Sequence, residues 1–208
     1  MNTSDKESLE SRIVSVAKDL FIQQGFAATS TTQIAREAGC TQALVHYYYR
    51  TKENLFRRIF LSEIQAAMDV ITRSLTPDVP FETFISNAIS LYFDTLISNP
   101  RLPYFVLEEL ITNHDRRIHL RDNFVRNPKY ALYYLQLDAR VKKEQKEGRM
   151  ADMETFDIIM SIVSLTVFNF LALPMYKDLL ERSDEQVRDF VLHRKTEVTR
   201  FILSAIRP

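Results

Sequence analysis

Ser30 to Phe56, STTQIAREAGCTQALVHYYYRTKENLF, is the stretch on which the reading of this chain turns. Ser30 and Gln33 stand at capping-box spacing ahead of a short helix from about Thr32 to Ala38. Gly39 then supplies a residue able to take the left-handed conformation that closes a helix. Thr41 is placed to cap a second short helix running to about Tyr48, and Thr51 to cap a longer one beginning at Lys52, with Leu55, Ile59 and Phe60 turned inward. Two short helices joined by a three-residue turn have the layout of a helix-turn-helix. Ile34, Ala35 and Ala38 form the small apolar face that lets two helices cross closely, and Val45 anchors the second helix to the first. Gln42, Ala43, His46 and Tyr47 are left near one exposed face, where they can enter a major groove. The same spacing also fits an ordinary helical hairpin with solvated polar residues, so the pattern alone leaves both readings open.

Upstream, Ile13, Val16, Ala17, Leu20 and Phe21 form one apolar stripe at helical spacing, with Gly25 as its stop. Downstream, prolines do the punctuation. Pro77 and Pro80 precede a helix from about Phe81 to Ser98; Asn99 to Pro103 breaks it, and another helix reaches about Asn113. An arginine-rich segment, with His114, Arg116, Arg117, His119 and Arg121, reads as a solvated connection to Pro128. A helix from there stops at Gly148, a further one spans about Asp152 to Leu173, and Ser183 or Asp184 caps the last. The class is all-α, with about nine helices.

Composition narrows the chemistry. With 27 basic and 27 acidic residues in 208, the chain is neither histone-like nor polybasic, though a small DNA-reading face needs only local charge. Up to residue 60 there are eight basic against six acidic side chains, net +2, leaving −2 for the rest. Three glycines are too few for a sheet-rich or dinucleotide-binding fold. The single cysteine, Cys40, allows neither an intrachain disulfide nor a cysteine zinc cluster and suits a reducing compartment. Charges through the first twenty residues argue against a signal peptide, so a cytoplasmic location is expected. Ile158 to Tyr176 carries no charge, but Ser161, Thr166, Asn169 and Pro174 lie within it. It reads as a helix buried on all sides, in a core plus a subunit interface, rather than a membrane span. His114 and His119, five apart, do not share a helical face, so no metal pair is expected; no P-loop, nucleophile elbow or His-Glu-x-x-His occurs, and no cofactor is implied.

Over about residues 10 to 60 the sequence resembles the DNA-binding signature of the TetR family of bacterial transcriptional repressors. The resemblance is carried by Ile34-Ala35, Ala38-Gly39, Thr41, His46-Tyr47-Tyr48-Tyr49 and Thr51-Lys52-Glu53-Asn54-Leu55-Phe56. His46 stands where the family has tyrosine and Tyr49 where it has phenylalanine, and the added hydroxyl of Tyr49 must find a partner. The resemblance implies base contacts from Gln42, Ala43, His46 and Tyr47, and phosphate contacts from Thr32, Thr41, Tyr48 and Lys52. It implies a DNA-binding domain over residues 1–56 and a helical ligand-binding and dimerisation domain over 57–208, joined by one continuous helix from Lys52. Some of the many aromatics downstream would line an apolar cavity. Tyr92, Phe105, Tyr134 and Asn169 are the candidates, with Thr166 or Asn87 as further polar groups.

The expected function is therefore a homodimeric repressor of a palindromic DNA operator. Its last two helices would pair with their symmetry mates, and a hydrophobic or amphipathic small molecule would release it, with no membrane involved. The alternatives are a constitutive regulator of the same fold and, from another class, a small helical enzyme or lipid carrier.

Overall fold

The computed structural model describes residues 3–73 and 79–208. Pro77 lies outside the described residues. Every regular element among them is helical: α1 (Thr3–Ala28), α2 (Thr31–Glu37), α3 (Gln42–Tyr49), α4 (Lys52–Arg73), α5 (Phe81–Ser98), α6 (Leu102–Thr112), α7 (His114–Leu120), a π-helical turn (Arg121–Val125), α8 (Pro128–Lys146), α9 (Thr155–Leu171), α10 (Leu173–Leu179) and α11 (Asp184–Ile206). Gly25, Gly39 and Gly148 all take positive φ (81°, 64° and 68°), each at or near a helix end. Ser183 closes a complete capping box with Gln186 at the start of α11.

The chain departs from the expected count in two places. The segment expected as a connection is helical, as α7 and the π-helical turn; His114, Arg117 and Arg121 are exposed, as a solvated segment requires, but Arg116 is buried. The uncharged stretch is also not one helix. It breaks at Ala172, and Pro174 lies in the first turn of α10, where its missing N–H costs nothing.

Two compact units emerge. The first takes in the described residues up to Gln65 together with Tyr104–Arg117; the second takes in Ala66–Pro103 and Ile118–Pro208. A division at 56/57 follows the signature alone, whereas contacts group Tyr104–Arg117 with the head as well. The head's core is Ile13, Ala17, Leu20 and Phe21 of α1, Ile34 and Ala35 of α2, Val45 of α3 and Leu55, Phe56, Ile59 and Phe60 of α4, all buried. Phe105 of α6 joins it, with ring centroids 5.4 Å from Phe56 and 5.8 Å from Phe60. The proline-bounded helix thus meets the helix that carries the head's last signature residues.

In the second unit α5, α9 and α11 pack on one another. Ile89 and Phe93 of α5, Phe170 of α9 and Val198 and Ile202 of α11 are buried there, with Phe93 and Phe170 5.9 Å apart. Helix α9 is not buried on all sides: Ile158, Thr166, Asn169 and Phe170 face inward, while Phe156, Met160 and Phe168 are exposed. Thr155–Leu179 is apolar enough by length and composition to cross a bilayer, with mean hydropathy 2.1, yet its inward face holds Thr166 and Asn169 against protein. Its outward face is open on the single chain.

Candidate nucleic-acid interface

The turn between α2 and α3 is built as the sequence requires. Ser30 Oγ accepts from the Gln33 amide at 3.1 Å. Only that half of the capping box forms, because the Gln33 side chain accepts from Gln24 Nε2 at 2.9 Å and donates to Glu37 at 3.2 Å. Gly39 has no atom within 4 Å of where a Cβ would stand, so its positive φ rather than space selects glycine. Thr41 occupies the extended cap position of α3 without a capping side-chain bond. Cys40 beside it is half-buried, and burial pushes its thiol up from the ordinary value, which disfavours a reactive thiolate.

On α3, Val45 is 2% exposed while Gln42, Ala43, His46 and Tyr47 all face outward. Their exposure follows from the 3.6-residue period: once Val45 and Tyr49 point into the head, 42, 43, 46 and 47 share the opposite side. Tyr47 is 71% exposed, its ring edge-on to Tyr48 at 5.4 Å. Gln42 and His46 do not hang free. Gln42 Nε2 donates to Thr31 Oγ1 at 3.0 Å and lies 3.5 Å from His46 Nε2. His46 Nδ1 is 3.0 Å from the carbonyl of Arg50, a residue at φ 61° that ends α3.

The four residues expected at phosphates fall into two groups. Thr32 and Thr41 are exposed and Tyr48 is half-buried. Lys52 turns back instead: its ammonium donates to the carbonyls of Phe26 and Thr29, both at 2.8 Å, and sits 4.1 Å above the Phe26 ring. Two of its three N–H donors therefore close the end of α1, where carbonyls are otherwise unpaired. Next to it, Thr51 Oγ1 accepts from the Asn54 amide at 3.1 Å and caps α4.

Two features fix this surface from beneath. The Tyr49 hydroxyl, the departure noted above, donates to Glu10 Oε1 at 3.2 Å, and burial pushes its phenol up to about 12, so it stays a neutral donor. Glu10 also pairs with Arg58 Nη1 at 2.6 Å, tying α1 to α4. The second feature has no local sequence signal. Arg116 is 1% exposed, its guanidinium 4.1 Å over the Phe56 ring; its Nε meets Glu109 at 3.0 Å and its Nη1 pairs with Glu53. Glu53 lies 63 positions away, and nothing within the arginine cluster announces it.

The candidate ligand residues are dispersed. Phe105 belongs to the head's aromatic stack. Tyr134 is 38% exposed on α8, and Tyr92 on α5 is half-buried, its phenol pushed up to about 12 by burial. Asn169 is buried on α9, accepting from Arg194 Nε at 2.9 Å, one turn after Thr166, whose buried hydroxyl has no partner among the described residues. A groove of about 370 Å³ in the second unit is lined by Phe81, Glu82, Glu144, Arg149, Met150 and Ile206, and by none of the four.

Comparison with known proteins adds an independent line. Residues 13–59 match the model of the bacterial regulatory proteins of the tetR family. The chain is 40% identical over 52 residues, 25% of its own length, to the HTH-type transcriptional regulator QacR of Staphylococcus aureus (strain Mu50 / ATCC 700699). It is 28% identical over 127 residues, 57% of its length, to the uncharacterized HTH-type transcriptional regulator YfiR of Bacillus subtilis (strain 168). These matches span 28% and 60% of the two relatives. In fold, a transcriptional regulator from Saccharomonospora viridis, solved in complex with choline, superposes over 100% of both chains with TM-score 0.71 at 18% identity.

Proposed function

We propose that the chain, whose residues 13–59 match the model of the bacterial regulatory proteins of the tetR family, is a sequence-specific transcriptional repressor acting as a homodimer on a palindromic operator. The observation that carries the reading is the α3 face. Gln42, Ala43, His46 and Tyr47 are all presented outward from a helix whose other side is locked into the head. That is the arrangement by which a recognition helix reads base edges. Thr32, Thr41 and Tyr48, with the remaining donor of Lys52, set its register on the phosphates.

Dimerisation is supported by apolar surface that the single chain leaves open. Phe168 on α9 is 70% exposed and Phe201 on α11 is 60% exposed, with Phe156, Met160 and Leu192 also uncovered on these two helices. Isologous pairing of α9 and α11 with their symmetry mates removes this surface from water and holds two heads for two half-sites. Release by a hydrophobic or amphipathic small molecule is the finer part of the proposal. It is supported by the choline bound to the Saccharomonospora viridis protein and by buried Asn169 beside Thr166, whose buried hydroxyl has no partner among the described residues. Such a molecule shifts the equilibrium only through its preference for the non-binding conformation.

The test is fluorescence anisotropy on duplexes drawn from the DNA flanking its coding region. Salt-dependent binding that selects one palindrome over random duplex by at least a hundredfold is the expected result. Equal affinity for all duplexes sinks the reading. A panel of lipophilic and polar compounds then tests release, and failure of every one to lower operator affinity favours a constitutive regulator.

A further inference from the structure

The contacts around Gln42 bear on which of its two amide atoms faces outward. The Arg50 carbonyl only accepts. In the neutral imidazole His46 Nδ1, 3.0 Å away, carries the ring proton. His46 Nε2 is then a bare lone pair, and it faces Gln42 Nε2 at 3.5 Å. Turning the Gln42 amide over would set its oxygen against that lone pair. With the amide as placed, one N–H goes to Thr31 Oγ1 at 3.0 Å and the other is directed at His46. Both hydrogens of the amide are held within the protein, and Oε1 is the atom left for an incoming ligand.

We infer that Thr31 is a specificity-determining residue: through Thr31 and His46, Gln42 offers the DNA an acceptor alone and selects a base with a major-groove amino group, adenine or cytosine, over guanine or thymine. An untethered glutamine pairs with adenine through both amide atoms, donating to N7 and accepting from N6. Here the donor side is occupied, so adenine loses its advantage over cytosine, whose N4 amino group offers the same donor. Guanine and thymine present O6 and O4 at that edge, acceptors that meet Oε1 with repulsion. Thr31 itself stands on α2, outside the reading face, and acts through Gln42.

This inference rests on the proposed DNA-reading role of α3, and the experiment separates the two. The full-length protein is incubated with a pool of randomised duplexes, and bound DNA is sequenced for the wild type, Gln42→Ala, Gln42→Glu and Thr31→Val. In the wild type, one position per half-site favours adenine and cytosine over guanine and thymine by about tenfold, and Gln42→Ala flattens that position alone. Gln42→Glu, which offers oxygen in either orientation, keeps the preference despite weaker overall binding. Thr31→Val, similar in shape but without the acceptor, frees the amide and cuts the preference to about twofold with affinity for the rest of the site retained. A position that Gln42→Ala flattens but that favours guanine or thymine in the wild type overturns the inference. So does an unchanged profile in Thr31→Val, or loss of the preference in Gln42→Glu; in each case the DNA-reading role stands. If Gln42→Ala flattens nothing, the base-reading assignment of Gln42 falls, and the inference with it.

Discussion

Replacing Arg116 by methionine probes the internal anchor of the head. The guanidinium is almost wholly removed from water and lies between two carboxylates of different exposure: Glu109 is 13% exposed, Glu53 50%. Loss of the contact to Glu53 costs little, about 1 kcal/mol or less, because water takes over a half-exposed carboxylate. Loss of the contact to Glu109 strands a buried charge, for which removing one partner costs about 3–5 kcal/mol. The stacking of the guanidinium on Phe56 is worth roughly 0.5–2 kcal/mol, and the methionine thioether recovers a similar amount against the ring. The net expectation is a loss of about 3 kcal/mol, at the lower end because Glu109 retains some solvent. Arg116→Met/Glu109→Leu should recover most of it, since replacing a whole buried pair by apolar side chains is close to neutral. Urea melts of the wild type, both single variants and the double variant, followed by far-UV circular dichroism and by tyrosine emission in a chain without tryptophan, close the thermodynamic cycle. A loss below about 1 kcal/mol in Arg116→Met, or no recovery in the double variant, refutes the picture of a desolvated, paired guanidinium.

Three further outcomes follow from the geometry. Lys52→Met removes two charge-assisted bonds to the Phe26 and Thr29 carbonyls, so it should lower head stability by about 2 kcal/mol and weaken binding to specific and random duplexes alike; a variant with wild-type stability shows that the lysine does not close α1. Tyr49→Phe deletes the bond to Glu10 but leaves Arg58 on that carboxylate, so urea melts should move by roughly 1 kcal/mol or less and operator affinity should hold. Phe201→Asp should give a monomer by light scattering with operator affinity reduced at least tenfold; an unchanged dimer removes α11 from the interface.

Much of the head was legible because its determinants are local. The caps at Ser30 and Thr51, the positive φ at Gly39 and the inward set of Ile34, Val45 and Leu55 each follow from residues within a few positions of one another. Their spacing alone puts Gln42, His46 and Tyr47 on one outward face. The missing partner of the Tyr49 hydroxyl could be demanded from sequence but not named, since Glu10 lies 39 positions away. The inward turn of Lys52 was hidden for the same reason: the carbonyls it satisfies belong to the end of another helix.

What the sequence determined by itself was the all-α class, the helix ends of the head and the outward face of α3, because hydrogen bonds closing over three or four residues and a 3.6-residue apolar period set them. What only the tertiary structure decided was the state of individual polar groups. Arginine in a charged cluster reads as solvated, yet Arg116 is buried because Glu53 and Phe56 of α4 and Glu109 of α6 converge on it from two places in the chain. Likewise Gln42 reads as a free amide until Thr31, eleven residues away on another helix, takes its hydrogen. Desolvation and pairing depend on which atoms surround a group in space, and spacing along the chain does not carry that information.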